Sequence, residues 1–381
     1  MESKEEQLPT YEAVVEHIVD VNELEKKAPP VPSKDNQESS VHSPKGKGSS
    51  INFFGLFTTG SLTDYHDVLY SSGLVETFKL RVQPYANIEV FFEEIKAIQV
   101  EYNIPSKPEI KHSCEMKGTK FVVEISAARG IVTNWFSPQA GQVTIRLPTF
   151  FKLNIDFEVC GTVDWKGSPT LLQDVDIKTL AGKIRIDSMY ANTIDISSSG
   201  GSITLDNATC SKLKVESSGG RIESSNVTAD NIKVKSSAGT IDCIEYKATN
   251  DVEIKCSAGS IKAQVDFVKN AKGEIDIHSS AGAIQAIITG YKDLKIKSSA
   301  GSVKAELIPN ESSKTKLSSS AGSVSANVKN FRGSHDCKAS AGSATVRRNG
   351  MPLAPDNQIP PGSSKLDAHS SAGSVKVNFE Y

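Results

Sequence analysis

The chain has 381 residues, 38% of them hydrophobic, with 43 Lys and Arg against 45 Asp and Glu for a formal net charge of -2. A chain of this kind can bury a sizeable core, and its near-neutral balance argues against nucleic acid or an anionic membrane as an obligate partner. No stretch approaches the ~20 apolar residues that a membrane-spanning helix needs.

Residues 1–50 are rich in Glu, Lys, Ser and Pro, with few large apolar side chains after Leu24, which predicts a disordered tail. The start, MESKEEQLPTYEAVV, has no basic region followed by an apolar run, so no secretory signal is expected and the placement is cytoplasmic. Two peptide motifs stand in this tail. Leu8-Pro9-Thr10-Tyr11 has the form of an L/P-P-x-Y ligand for WW domains, followed by a short helical stretch over 12–25. Pro9 pre-sets an extended backbone and Tyr11 fills a groove at low ordering cost. Proteins with this motif are commonly recruited to HECT-type ubiquitin ligases. Pro29-Pro30-Val31-Pro32-Ser33-Lys34 fits PxxP followed by a basic residue, an SH3-type ligand, with Pro29, Pro32 and Lys34 as its anchors. Against both stands chance recurrence in a polar linker.

Residues 51–133 read as an N-terminal cap with atypical leading strands. INFFGLF at 51–57 is an apolar patch expected to cover the first coil. Alternation in Phe78, Leu80 and Val82, in Ile88, Val90 and Phe92, and in Phe121, Val123 and Ile125 predicts strands.

From 134 to 381 one phrase, SSAGSV and its variants, recurs about every nineteen or twenty residues. Its last glycine is Gly182, Gly201, Gly220, Gly239, Gly259, Gly282, Gly301, Gly322, Gly342 and Gly373, and Gly141 and Gly161 extend the series upstream. A fixed period of this length signals a stacked array. Aligned on that glycine, the residue two positions on is β-branched in every copy but one, and columns four after, five before and seven before it are largely apolar. Each repeat thus reads as strand, tight turn, strand, with alternate side chains facing one interior. Two architectures fit: hairpins in a meander or sandwich, or coils of a β-helix. A two-residue hairpin wants positive φ early, whereas Ala-Gly puts the positive-φ residue second, as in a type II turn or arc. Repetition of the same corner also favours stacking like on like. The expected fold is all-β, a single-stranded parallel β-helix of about 12 coils, each lying directly on its predecessor.

Departures from the period carry further expectations. Leu153, Ile155, Phe157 and Val159 fall one position out of column, which predicts a bulge. The long step from Gly342 to Gly373 predicts a protruding loop at 347–364 with four prolines. The terminal VKVNFEY is read as an unterminated strand.

No catalytic, cofactor or metal site emerges. The six cysteines lack metal-ligand spacing; Cys243 and Cys337 occupy interior columns and Cys256 replaces a turn serine, as expected of small buried hydrophobes in a reducing compartment. Sequons at Asn207, Asn226 and Asn310 carry little weight without a signal peptide. A column of cations, Lys178, Lys235, Lys255, His278, Lys297, Lys338 and His369, is largely matched by a neighbouring acidic column, as a solvated face would be. His335 sits in an interior column of a weakened coil and reads as structural. Polysaccharide-cleaving β-helices need clustered carboxylates, and no acid–base pair stands out.

With its SSAGSVKA and SSAGSVSA copies, residues 74–381 resemble the putative-adhesin domain family of unknown function, which implies a β-helix preceded by additional strands and brings no catalytic residues. The tail motifs resemble those of eukaryotic, fungal chains. The leading functional expectation is a non-enzymatic interaction or scaffold module whose tail recruits WW- or SH3-domain partners. The alternatives are a surface adhesin and a polysaccharide-active enzyme.

Overall fold

The computed structural model describes residues 64–70, 75–95, 97–103, 110–127, 141–149, 152–167, 172–268, 273–353 and 358–381. Both tail motifs and the 51–57 patch lie outside them. Among the described residues every element is a strand, and the fold is all-β and solenoid-like.

The strand Ile203–Ser217 shows how the sequence builds one winding. Ile203 and Leu205 are buried while Thr204 and Asp206 between them are half-exposed, so the first side alternates in and out. Asn207 then takes φ +51°, a left-handed conformation that Asn tolerates better than most residues, and turns the chain. Ala208 and Cys210 face inward along a short second side. The alternation breaks before Leu213, and Leu213, Val215 and Ser217 face inward along a third side. Ser-Ser-Gly-Gly closes the circuit. The next winding repeats this in parallel, with Ile203 beside Ile222, Ala208 beside Val227 and Leu213 beside Ile232.

Each winding therefore has three sides, not the two read from the sequence. The second side is signalled by Ala208 and Cys210, Val227 and Ala229, and Tyr246 and Ala248, and by the left-handed residues Asn207, Asn226 and Glu245 that precede it. Two polar residues in the apolar columns have partners that this second side supplies. Ser224 hydrogen-bonds to the buried hydroxyl of Tyr246, and Thr315 lies 2.9 Å from that of Tyr291. A buried hydroxyl so engaged avoids the desolvation penalty of an unpaired one.

In the middle of the rod the windings follow chain order, from Val175 through Ile194, Leu213, Ile232, Val252, Ile275 and Leu294 to Thr315. At both ends that order is broken, which overturns the expectation that every coil lies on its predecessor. At the C-terminal end Thr315 is followed in space by Leu366 and only then by His335. On the first side Val324 is followed by Val375 and then Ala344. The strands Ser364–Ser370 and Val375–Glu380 are thus wedged between earlier parts of the chain. At the N-terminal end the strand Thr77–Glu93 lies between Lys120–Ala127 with Gly141–Pro148 on one edge and Asn154–Lys166 on the other.

Three expectations are corrected by this arrangement. The last strand is not unterminated, because Val375–Glu380 is paired along both edges. The long step after Gly342 is not merely a protrusion: Arg347 and Arg348 pair antiparallel with Pro352 and Met351, and the chain then returns to fill the vacant level. There is no bulge at 153–159, since Ile155, Phe157 and Val159 pair evenly with Val175, Ile177 and Thr179. The column slips because one residue separates Val159 from Gly161, where two separate Thr179 from Gly182, so the corner is shorter by one.

Aromatic side chains gather at the two interleaved ends. Phe78 lies 5.5 Å from Phe121 and 5.4 Å from Phe157 between ring centroids, and Phe92 packs 5.0 Å from Trp165. At the other end Phe331 packs 5.0 Å from Phe379.

Candidate functional site: the corner ladder and the charged side

The repeated SSAG corner forms a continuous polar ladder along the rod. In the phrase's first position a serine points inward and is buried, as at Ser198, Ser217, Ser236, Ser279, Ser298, Ser319 and Ser370. Ser298 is typical: its Oγ accepts from the N–H of Gly301 at 2.9 Å and donates to the carbonyl of Gly282 in the preceding winding at 3.0 Å. Thr179 serves the same role toward Gly161 at 2.8 Å. The ladder even tracks the displaced order, for Ser370 donates to Gly322 at 2.8 Å and Gly373 N–H returns to Ser370. Ser217, Ser279, Ser298, Ser319 and Ser370 each use both the donor and the acceptor of one hydroxyl.

The anchor glycines are required by proximity rather than by φ, which corrects the type II reading. Of the ten in the SSAG corners only Gly182, at φ +118°, is left-handed. At Gly239 a Cβ would lie 1.9 Å from the carbonyl oxygen of Gly220, and at Gly201 it would lie 1.4 Å from that of Gly182. The same crowding recurs at Gly220, Gly259, Gly282, Gly301 and Gly322, and Gly373 stacks on Gly322 while Gly342 stacks on Gly373. No side chain fits where one backbone sits directly on another. Cys256 takes the serine's place as expected: its thiol accepts from Gly259 N–H at 3.0 Å and donates to Gly239 O at 3.1 Å. Burial raises its pKa, and it likewise pushes the Cys243 thiol up to about 11 and that of Cys337 up to about 12. All six cysteines are free thiols.

The third side carries the charged columns outward. From Lys79 to Asp276 these charges are knitted into ion pairs. Lys79 meets Asp156, Arg81 meets Glu158 at 3.2 Å, and Lys178 meets Asp176. Lys214 joins Asp195 at 3.0 Å and Glu216 at 3.2 Å. Glu253 is the hub of the centre, reached by Lys255 at 2.5 Å and by Lys233 and Lys235 at 3.5 Å, while Lys255 also reaches Asp276 at 3.0 Å. The hydrogen bond from Lys255, helped by the nearby ammonium groups, holds the Glu253 carboxyl below its ordinary range. The solvated-face reading accounts for this stretch. Beyond it Lys338 still meets Asp336 at 2.5 Å, but Lys295 stands beside Lys316 and Lys314 beside Lys365.

Of the histidines, His278 and His369 stand in the outward cation column beside Lys255 and Lys338. His335 is half-buried with its ring 5.5 Å from that of Phe379, and burial lowers its pKa. That is the structural role read from the sequence. Among the described residues no group of three or more His, Cys, Asp or Glu side chains is placed to hold a metal ion. The sequon residues Asn207 and Asn226 sit at the left-handed corner, where Asn207 Nδ2 donates to Asp187 O at 3.1 Å and Asn226 Nδ2 to Asn207 Oδ1 at 3.3 Å. Their recurrence is a corner requirement, a signal the sequence held at a fixed offset from the glycine.

Three solved structures align with most of this chain. A "putative adhesin" of Bacteroides fragilis is 15% identical, covers 83% of this chain and 98% of its own, and has a TM-score of 0.31. A "putative cell adhesion protein" of Clostridium sporogenes is 9% identical over 83% of this chain and 99% of its own, with a TM-score of 0.19. A "putative lipid binding protein" of Parabacteroides distasonis is 10% identical over 84% and 98%, with a TM-score of 0.30. No curated protein matches the chain. A family profile matches residues 76–350, well over half of the sequence and nearly the whole of the wound region, and the chain accordingly belongs to the Toastrack DUF4097 family.

Proposed function

We propose that this chain is a non-enzymatic interaction or scaffold module: a single-stranded parallel β-helix of about 12 coils that holds a rod at fixed length while the tail recruits partners. The observation that carries this reading is the corner ladder, which joins windings through buried hydroxyls such as that of Ser298 and backbone contacts too close for any Cβ. A structure so constrained suits a spacer or platform better than a site that must open and close. The tail motifs at Leu8-Pro9-Thr10-Tyr11 and Pro29–Lys34 supply the recruiting chemistry, for WW domains such as those of HECT-type ubiquitin ligases and for SH3 domains. Cytoplasmic placement is part of the proposal. The experiment is a pull-down of the full chain on an immobilised WW domain, with Tyr11→Ala beside it. Capture should be lost in the variant, and equal capture of both would end the recruiting role.

Surface adhesion is the second reading. It is consistent with the adhesion in the names of two of the aligned structures, and with the exposed amides of Asn207 and Asn226. It requires export. A mass shift removed by a glycosidase on chain from its native cell would favour it over the cytoplasmic scaffold.

A further inference from the structure

We infer that the lysine cluster on the third side, centred on Lys295, Lys314, Lys316 and Lys365, is a docking surface for the chain's own acidic segment 2–25. Lys295 and Lys316 are direct cross-strand neighbours, as are Lys314 and Lys365. All four are exposed. Like charges placed opposite one another in a sheet destabilise it unless counter-charges intervene. Elsewhere on this side that requirement is met internally. Lys214 and Lys233 are also direct neighbours, yet each reaches a carboxylate, Lys214 at Asp195 and Lys233 at Glu253. Among the described residues Lys295, Lys314, Lys316 and Lys365 make no ion pair. The nearest acidic side chains in the columns are Asp276, Asp293 and Asp367, and Asp276 is already held by Lys255.

The complementary charge lies in the same chain. Residues 1–25 hold eight carboxylates, Glu2, Glu5, Glu6, Glu12, Glu16, Asp20, Glu23 and Glu25, against the single Lys4, a net of -7 in a protein whose total is -2. The rest of the chain is therefore net positive. Lysines without arginines offer point charges rather than forked donors, which suits carboxylates presented one at a time. Neither outward column there carries a Phe, Tyr or Trp side chain that would stack on a sugar or a base. Reach is sufficient. Twelve ladder steps separate the Asp64–Tyr70 strand, where the tether ends, from Val303–Ser319, about 58 Å at strand spacing. Residues 26–63 can extend to at most ~130 Å. Tethering raises the effective concentration of the segment to about the millimolar range, so modest contacts suffice. The contact does not depend on the WW reading, although it would cover Tyr11 and so compete with it.

The test uses the full chain at low salt with a carbodiimide, which joins carboxylates to amines in contact, followed by peptide mapping of the monomer. Links from Glu5, Glu6, Glu12 and Glu16 should fall on Lys295, Lys314, Lys316 and Lys365 and disappear in high salt. Links spread evenly over the rod's lysines, links found only between two molecules, or no links at all would overturn the docking. A second measurement uses heparin as an anionic probe. Replacing Glu5, Glu6, Glu12 and Glu16 by Gln should tighten heparin binding about tenfold, and that gain should vanish when Lys314→Gln and Lys365→Gln are added. Equal heparin affinity with and without the tail charges would instead make this cluster a site for an outside polyanion and sink the tail assignment.

Discussion

At Gly239 the chain has no room for a methyl group, because the carbonyl of Gly220 lies 1.9 Å from where it would stand. Gly239→Ala must therefore separate two windings, and a loss of roughly 3 kcal/mol or more is expected from a chemical denaturation curve. Ser298 gives a milder and more diagnostic case. Ser298→Ala leaves the buried N–H of Gly301 and the carbonyl of Gly282 without their shared partner, costing about 1–3 kcal/mol. Ser298→Cys should recover most of that loss, since Cys256 already fills the same place with the same two contacts. Equal midpoints for the Ala and Cys variants would show that the ladder contributes nothing. The positions of these residues were plain in the sequence, but their cause was not. Period reveals where a glycine recurs; only the distance between stacked backbones reveals that crowding, not a left-handed φ, demands it.

At the scale of the strand, the inward and outward assignments were legible because alternation in one winding is repeated by its neighbours. Ile254 is fully buried, and Ile254→Asp would place an unpaired charge in the interior at a cost of several kcal/mol. Lys255→Gln, one position away and half-exposed, should cost about 1 kcal/mol or less. The acidic limb of the stability curve reports on Glu253. Its folded pKa is held below the ordinary 4.5, so its contribution is present above that value and is lost as the pH falls through the folded value. Glu253→Gln should therefore be less stable than the native chain near neutrality, with the gap closing below pH 4.5; a gap that is constant with pH would contradict the hub. The second side escaped the sequence reading for a physical reason. It spans only about three residues, too few to show a period of two, and its inward side chains vary from Ala208 to Tyr246.

Over the whole molecule, the stacked architecture followed from the repeat, whereas the interleaved ends did not. Like corners stack equally well in any order, so nothing in SSAG tells Gly322 to meet Gly373 before Gly342. Hydrogen exchange separates the two orders. Ser364–Ser370, paired along both edges although near the C-terminus, should exchange as slowly as the central strand Ile284–Ser298. Gly333–Ala339, paired along one edge among the described residues, should exchange faster despite preceding it. The opposite ranking would restore simple sequential winding.

The wedged strands also set a timetable for synthesis. A nascent polypeptide that has emerged only to residue 352 has both walls of the gap, Val303–Ser319 and Gly333–Ala339, but nothing to put between them. Closure waits until residues 364–380 have cleared the ribosome, so a chain stalled before that point displays bare strand margins to any chaperone or protease nearby.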